Sequence, residues 1–300
     1  MKKFSFYIVG GLLVILLGMA VLDVAYTKIY ETSSPRTKFQ YLRSLRNKKV
    51  DFLFIGSSRV ENGIVPSIIE KKTGKSAVNL GFQAAKLGDI FTLLQLVKEY
   101  HIQYETILIQ VDYIYNIEGG HSNIFEYEMM PFIRDNAITK DYSDTYAAHP
   151  VASYYIPFYR YCNNDLKLGF REVFAHLIRK KNNVFNDGGY GPKYGNARAL
   201  TGALPDTILA TNAIMDRIQS FVYQNNMKVV FYCAPFCQNN QNKDFTTKLK
   251  TKIAGFKDFS GAIADDRMFL NCNHLNDSGA RRFTEIFTEE VLIQKIINID

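Results

Sequence analysis

The chain of 300 residues is long enough for one sizeable domain with a full core, or for two small domains at most. Its formal net charge of +7 comes from basic residues scattered among many acidic ones, and no predicted helix carries a concentrated basic stripe. The charge therefore does not indicate a nucleic-acid-binding protein. The four cysteines are too few for a disulfide scaffold and lack the paired spacing of a zinc site.

An apolar segment opens the sequence. Residues Phe4 to Leu22 carry no charge, and in a helix of ~1.5 Å per residue they span roughly 30 Å, the thickness of a bilayer core. Lys2 and Lys3 precede this run, which favours a cytoplasmic amino terminus and an outward-facing remainder. We predict a single-pass membrane anchor over residues 1–27. A cleaved signal peptide is the alternative, since Gly18 to Ala20 offers small residues near a suitable cleavage site.

A linker over residues 28–49 follows, with a short amphipathic helix from Thr37 to Lys49, and strands then alternate with helices over residues 50–300. The predicted strands are Val50–Ile55, Ser76–Leu80, Thr106–Val111, Lys228–Tyr232 and Met268–Leu270. The predicted helices are Pro66–Lys72, Leu87–Tyr100, Asp206–Asn225, Phe245–Ala254 and Ser278–Ile297. Residues 117–205 interrupt this alternation with two Gly-rich points and tyrosine-rich pieces, which is typical of an inserted lid or binding region.

The alternation predicts an α/β fold. Apolar runs such as Val50 to Ile55 are typical of parallel strands that are buried on both faces. Strands connected by helices form a mostly parallel sheet that is covered by helices on its two sides. We therefore predict a three-layer α/β/α sandwich, preceded by one transmembrane helix.

Polar residues cluster where the predicted strands end. In an open α/β sheet, ligands bind beyond the carboxyl ends of the strands. The residues delivered to that edge are Ser57, Ser58, Asn79, Gly81, Asp112 and Cys233 to Pro235, and the last loop adds His274. Because their neighbourhoods meet at this edge, we hypothesise that Cys233 or Cys237 forms a disulfide with Cys272.

Ser58 and His274 together indicate acyl chemistry. The segment FLFIGSSRVENG, Phe52 to Gly63, is typical of a buried strand that breaks into a tight turn and then a helix, which exposes a serine. A serine hydroxyl is a weak nucleophile until a base takes its proton, and a histidine within reach is the usual base. The alternative for Ser58 is a helix N-cap, and the alternative for His274 is a structural role. The glycine spacing lacks a phosphate-binding pattern, which disfavours a nucleotide-binding loop.

These blocks resemble the SGNH or GDSL-like hydrolases, and within them the membrane-anchored branch that includes alginate acetylation proteins and the teichoic-acid D-alanyl transfer protein. Gly56 to Ser58 looks like the first block, Asn79 to Phe82 is similar to the second, and Asn271 to Gly279 resembles the last. The resemblance spans most of Asp51 to Asp300, without the insertion. It implies an SGNH-like fold with a flavodoxin-like sheet.

The resemblance also implies roles for individual residues. Ser58 takes the position of the nucleophile and His274 that of the base, and Gly81 is a candidate for the oxyanion hole. The third block of the family aligns loosely with IQVDYIYN, where Asp112 or Asn116 stands at a further oxyanion-hole position.

Asn271 departs from the family pattern, because an aspartate usually stands three residues before the histidine. In a catalytic triad, replacing aspartate by asparagine can favour the wrong imidazole tautomer and cost roughly 10⁴-fold in kcat. A backbone carbonyl or the Asn271 side-chain oxygen can instead accept from the imidazole, or a carboxylate can serve from a shifted position. The candidate carboxylates are Asp265, Asp266 and Asp277. Alternatively, Asn271 is a turn residue without a catalytic part.

Several residues are candidates for binding the substrate. Arg59 directly follows the predicted nucleophile, where it contacts an anionic group or forms a salt bridge at the sheet edge. Tyr190 and Tyr194, with Arg198 and the aromatic residues of 154–159, are candidates for stacking on sugar rings. Aromatic runs are also typical of local core packing.

Our leading hypothesis is an anchored, extracytoplasmic serine esterase or O-acyltransferase that acts on a cell-envelope or secreted polysaccharide. The resemblance implies transfer of an acyl group, commonly acetyl, often together with a membrane-bound O-acyltransferase, and it requires no metal or organic cofactor. Water and a sugar hydroxyl both stay open as acceptors. The rival hypothesis is a non-catalytic glycan-binding or assembly subunit with a degenerate triad.

Overall fold

The computed structural model describes residues 2–163, 170–180, 187–196 and 200–293. The chain forms two compact units. One comprises residues 1–40 and 125–182 and is called the anchor unit below, and the other comprises residues 41–124 and 183–300 and is called the sheet unit.

The helices of the described residues are α1 (Lys2–Thr32), α2 (Lys38–Ser44), α3 (Ser58–Glu61), α4 (Pro66–Thr73), α5 (Leu87–Glu99), α6 (Asn123–Met129), α7 (Ala137–Tyr146), α8 (Pro150–Tyr155), α9 (Tyr159–Cys162), α10 (Phe170–Leu177), α11 (Ala213–Gln224), α12 (Asp244–Lys250) and α13 (Asp277–Phe287). The strands are β1 (Phe52–Gly56), β2 (Ala77–Gly81), β3 (Thr106–Gln110), β4 (Gly202–Ala203), β5 (Val229–Cys233), β6 (Asn240–Gln241), β7 (Lys257–Asp258), β8 (Phe269–Asn271) and β9 (His274–Leu275).

Five strands of the sheet unit form one parallel sheet in the order β2-β1-β3-β5-β7. In the centre, Phe52 of β1 lies opposite Ala77 on one side and Thr106 on the other. β1, β2 and β3 are buried along their whole length, as expected for strands with helices on both faces. This is the strand order of flavodoxin-like sheets, and the predicted three-layer α/β/α fold is confirmed.

Aromatic rings fill the layer between the sheet and α13. Phe54 of β1 and Tyr232 of β5 pack against Phe287 of α13, with ring centroids 5.7 and 4.8 Å apart. Side chains alternate along a strand, so the intervening residues face the opposite layer. In that layer α5 and α11 contact each other through Phe91 and Phe221, whose ring centroids are 5.7 Å apart.

The predicted fifth strand is corrected by the structure. β8 pairs antiparallel with β9 in a separate hairpin, and β7 is the fifth strand of the main sheet. β7 consists of two exposed polar residues, Lys257 and Asp258, and therefore leaves no apolar run in the sequence.

Four predicted helices have different limits. α2 ends at Ser44 instead of Lys49, and α12 ends at Lys250 instead of Ala254. α11 begins at Ala213 instead of Asp206, because the Asn212 side chain accepts from the Ile214 and Met215 N–H groups and caps the first turn. The predicted closing helix divides into α13 and a π-helical segment, Thr288–Ile293. Its last predicted residues, 294–297, lie outside the described part of the chain.

α1 is a long apolar helix whose side chains are mostly exposed from Phe4 to Val24. Its length and composition are consistent with a single-pass membrane anchor or a signal sequence. The helix continues to Thr32, five residues beyond the predicted limit of the anchor. Near its carboxyl end, Tyr26 packs edge-on against Phe158 with ring centroids 4.9 Å apart.

The units differ from the segments predicted from the sequence. Residues 125–182 of the predicted insertion share a unit with residues 1–40, whereas the described residues of 187–205 belong to the sheet unit. Arg160 illustrates the reason, since its guanidinium donates to the Asp23 carboxylate of α1 at 3.0 Å. Such a contact joins residues that are 137 positions apart, and it leaves no local pattern in the sequence.

Candidate functional site

Ser58 is the first residue of α3, directly after the turn that ends β1. The turn requires glycine at position 56, because a Cβ there would lie 2.5 Å from the Val60 Cγ2 atom. The N-cap of α3 is Ser57, whose hydroxyl accepts from the Arg59 N–H. The cap that was the alternative role for Ser58 is therefore supplied by its neighbour, and the Ser58 hydroxyl points elsewhere.

The Ser58 hydroxyl contacts His274. Its Oγ lies 2.8 Å from the His274 Nε2 atom. His274 begins β9, and the hairpin of β8 and β9 turns through Cys272 and Asn273 so that Asn271 lies opposite His274. The hairpin thus brings a base from the end of the chain to a serine 216 positions earlier.

Asn271 orients the imidazole. Its Oδ1 atom lies 3.0 Å from His274 Nδ1 and also accepts the Asn273 N–H at 3.0 Å. Because a backbone N–H can only donate, this second bond identifies the facing Asn271 atom as the oxygen. Nδ1 must then carry the proton, which leaves Nε2 as an acceptor for the Ser58 hydroxyl.

The three carboxylates considered for this role have other partners. Asp265 accepts from Arg267, Asp266 accepts from the Gln238 N–H, and Asp277 accepts from Tyr190 and Arg281. Ser58, His274 and Asn271 therefore form a triad in which a neutral amide takes the position of the acid. Histidine with asparagine is an arrangement known from cysteine proteases of the papain type.

Arg59 is buried beside this triad. Its Nε atom lies 2.7 Å from the Asp112 carboxylate, and both side chains are 1% exposed or less. Its Nη2 donates to the carbonyls of Ala234 and Pro235 at 2.7 and 3.0 Å, and its Nη1 donates to the Asn273 carbonyl. Arg59 therefore ties α3, which carries Ser58, to the hairpin that carries His274, and its guanidinium contacts protein groups instead of an open surface.

A disulfide joins the same hairpin to the segment that follows β5. Cys272, between Asn271 and Asn273, is bonded to Cys237, which follows β5. The Cys237 N–H also donates to the Cys272 carbonyl at 3.1 Å. Of the two partners that the sequence left open for Cys272, the structure selects Cys237, while Cys233 is a buried free thiol.

The electrostatic surroundings keep His274 neutral. Burial, together with the positive charges of Arg59 and Lys193, lowers the pKa of His274 to about 4. At neutral pH the imidazole can therefore accept a proton from Ser58, although it is a weaker base than an imidazole paired with a carboxylate.

The three residues predicted for the oxyanion hole have partners inside the protein. Gly81 faces the backbone of Glu61, and its N–H donates to the Asn79 Oδ1 atom at 3.0 Å. The Asp112 side chain is fully buried, where burial raises its pKa and Arg59 opposes that rise. Asn116 binds the Thr207 carbonyl and the Leu209 N–H, so its amide holds a surface loop.

The residues predicted to contact sugars are placed differently from one another. Tyr190 is 3% exposed and its hydroxyl donates to Asp277 at 3.0 Å, so its ring is part of the core. Tyr194 is 73% exposed and is available for stacking. Arg198 lies outside the described residues.

The sequence reasoning missed Gln110 and Lys193. The Gln110 Oε1 atom accepts from the Ser57 N–H at 3.1 Å and from its hydroxyl at 2.9 Å, and Nε2 donates to Asp112 at 2.7 Å. Lys193 lies in the Gly-rich loop, where its carbonyl accepts the Asp277 N–H at 2.7 Å. A polar residue at the end of the apolar run of β3 was the available signal for Gln110.

Within the described residues, no group of three or more His, Cys, Asp or Glu side chains is placed to hold a metal ion. Three protein groups meet at the site: a serine hydroxyl, a neutral imidazole and an amide that fixes the tautomer of the imidazole. Together they can transfer a proton away from the hydroxyl while its oxygen attacks an electrophilic carbon.

Comparisons with known proteins add little to this geometry. No family model matches the chain, and no curated protein matches it. A Streptococcus pneumonia protein described as a candidate platelet activating factor is similar in structure, with a TM-score of 0.40 and 12% sequence identity. That match covers 94% of this chain and 97% of the other.

Proposed function

We propose that this protein is a membrane-anchored, extracytoplasmic serine esterase or O-acyltransferase that moves an acyl group, most simply acetyl, to or from a polysaccharide. The observation that carries the proposal is the Ser58–His274–Asn271 chain of contacts, at 2.8 and 3.0 Å, with the tautomer that catalysis needs. Ser58 and His274 stand at the positions that the SGNH-like resemblance implies for the nucleophile and the base, and Asn271 stands where that family usually has an aspartate, which supports the proposal.

In the first half of the reaction, the Ser58 oxygen attacks the carbonyl carbon of the acyl ester, and His274 Nε2 takes the hydroxyl proton. A bond from Oγ to the carbonyl carbon forms, and the carbonyl electrons move to its oxygen. We assign that oxyanion to the Ser58 N–H at the first turn of α3. The Gly81 N–H can contribute only after it leaves Asn79.

In the second half, the tetrahedral intermediate collapses. The bond to the departing alcohol breaks, the alcohol takes the proton from Nε2, and an acyl-serine remains. A second hydroxyl then attacks the acyl carbon and gives its proton to Nε2. When this second intermediate collapses, the bond between Oγ and the acyl carbon breaks, and Oγ takes the proton back from Nε2, which restores the Ser58 hydroxyl and the neutral imidazole. Water in this step yields a free acid, whereas a sugar hydroxyl yields a new ester.

The anchor and the charges give the proposal its location. Lys2 and Lys3 before the apolar run favour an inward amino terminus, so the catalytic residues face outward. An outward site meets polysaccharide of the envelope, and the exposed Tyr194 ring offers one face for stacking on a sugar. A membrane-bound O-acyltransferase is the proposed source of acyl groups for a transferase.

The proposal is tested by acetyl release from a small aryl ester, measured with the full chain in detergent. Ser58→Ala and His274→Ala should each lower the rate by a factor of roughly 10³ or more, since the residues of a triad act as a unit. Ser220→Ala is the matched control, because Ser220 is an exposed serine on α11. A fluorophosphonate should label the wild type and the control at Ser58, but not Ser58→Ala.

Rates and labelling that are the same in Ser58→Ala and wild type would contradict the proposal. A wild type that folds but neither turns over the ester nor takes the label would favour the rival, a glycan-binding subunit. Labelling at Ser58 without hydrolysis would identify a transferase that excludes water, and added oligosaccharide should then accept the acyl group.

A further inference from the structure

A small apolar surface of the anchor unit is exposed beside α1. It consists of Val151, Tyr155 and Ile156, which are 69%, 67% and 42% exposed, and is called the α8 surface below. Single exposed apolar side chains are common in proteins, but neighbouring ones mark a contact with a partner or a membrane. The position of this surface along α1 decides between these partners.

Asp23 marks the level where the apolar run of α1 ends. It is the first charged residue after Leu22, and it is 5% exposed. Its carboxylate accepts from Arg134 at 2.6 Å and from Arg160 at 3.0 Å. A buried charge next to a membrane has to be paired, so both arginines are held at this level.

The same contacts place α8 at that level. Arg134 donates through Nη1 to Asp23 and through Nε to the Tyr154 carbonyl at 2.7 Å, so one side chain joins α1 to α8. Three residues further, ~4.5 Å along the helix axis, Tyr26 packs on Phe158. The segment from Tyr154 to Phe158 is therefore fixed against the first turn of α1 that follows the apolar run.

We propose that a lipid bilayer covers the α8 surface, so that α8 lies in the membrane interface beside α1. The apolar surface of α1 continues past Asp23 to Val24, which is 69% exposed, so the lipid that surrounds the anchor also reaches α8. Tyrosine is a side chain that prefers the interface, where its ring is apolar and its hydroxyl remains wet. This contact rests on the anchor in the proposed function and is independent of the chemistry at Ser58.

The chain contains no tryptophan, which makes a single tryptophan a specific reporter. Tyr155→Trp is placed in the full chain and reconstituted in phosphatidylcholine vesicles whose acyl chains carry bromine, a contact quencher. The tryptophan emission should be shifted to the blue of that of a water-exposed tryptophan. Brominated lipid should quench this fluorescence, and aqueous acrylamide should quench it little.

Tyr223→Trp is the matched control. Tyr223 is 84% exposed on α11, among the exposed polar residues Asp216, Arg217 and Ser220. This reporter should be quenched by acrylamide and not by brominated lipid. A Tyr155→Trp reporter that behaves like this control would overturn the proposal, and so would one that is shielded from both quenchers, because that result indicates a protein partner.

Val14→Trp, in the middle of the apolar run, separates the two ways to fail. If bromine quenches Val14→Trp but not Tyr155→Trp, α1 is in the membrane and the proposed lipid contact of the α8 surface is contradicted. If bromine quenches neither reporter, the membrane anchor is contradicted, and so is the lipid contact of the α8 surface that depends on it. Neither residue belongs to the site at Ser58, so both variants should keep the wild-type aryl-ester turnover. Limited proteolysis within residues 125–163 reports whether their anchor unit is folded.

Discussion

Both units of the protein bury an aspartate with arginine, but the two clusters connect different things. In the sheet unit, Arg59 pairs with Asp112 and joins α3 to the hairpin of His274. In the anchor unit, Asp23 and Arg160 join α1 to residues far along the chain. The same kind of ion pair thus lies beside the Ser58–His274 contact in one unit and holds α1 in the other. Variants of the two clusters should therefore differ: those in the sheet unit should lower both activity and stability, and those in the anchor unit should lower stability alone.

Arg59→Met breaks the sheet-unit cluster and should have the largest effect. Removing one partner of a buried ion pair costs about 3–5 kcal/mol, because the Asp112 carboxylate stays buried without its counter-charge. The aryl-ester rate should fall as well, since the Asn273 carbonyl loses its tether. Urea unfolding and initial rates measure the two effects.

Arg267→Met is the control, because this arginine is 85% exposed and pairs with Asp265 at the surface. It should change the free energy of unfolding by no more than about 0.5 kcal/mol. Arg59→Lys keeps the charge without the fork of donors, and it serves if the methionine variant does not fold. A lysine variant with unchanged rate and stability would show that the cluster does not position the hairpin.

Cys272→Ala sharpens the comparison within the sheet unit. The disulfide closes a loop with a sequence separation of 35 residues, and its loss should cost roughly 3–4 kcal/mol of stability. The aryl-ester rate should fall less than in Arg59→Met, because Arg59 still holds the Asn273 carbonyl. Thermal melts with and without reductant measure the effect, and Cys162→Ala, at an exposed free cysteine, is the control. A wild-type melting temperature that does not respond to reductant would contradict the disulfide.

Strands and turns with a local sequence pattern could be predicted, whereas contacts between residues far apart in the sequence could not. The strands β1, β2, β3 and β5 follow from apolar runs bounded by turn residues, and the Gly-Ser turn marks Ser58. The role of Asn271 stayed open because its amide is oriented by the Asn273 N–H, which only the folded hairpin reveals. A salt bridge was one of two options for Arg59, but Asp112 was not predicted as its partner, because only the folded structure shows that both side chains are buried together.

Asp23→Asn breaks the anchor-unit cluster. Asparagine keeps an acceptor but removes the charge that faces Arg160 and Arg134, so the anchor unit should lose about 1–3 kcal/mol of stability. The aryl-ester rate should not change, because the cluster lies in a unit that contributes no member of the triad. Limited proteolysis within residues 125–163 in detergent measures the stability. A loss of turnover as large as that of Arg59→Met would mean that the two clusters do not act separately.

The smallest effect is a shift along the pH axis. Only neutral His274 can accept the Ser58 proton, and its pKa is lowered to about 4, so kcat/KM should stay constant from neutral pH until it falls near pH 4.

Asn271→Asp places a carboxylate at Nδ1, which favours the imidazolium and raises the pKa of His274. The acid limb of the variant should therefore lie at a higher pH than that of the wild type. Asn271→Ala removes the acceptor without adding charge, so it should lower the rate at every pH and leave the limb close to its wild-type position. A wild-type limb near pH 6.5, the ordinary pKa of histidine, would show that the imidazole of the free protein is solvated instead of buried.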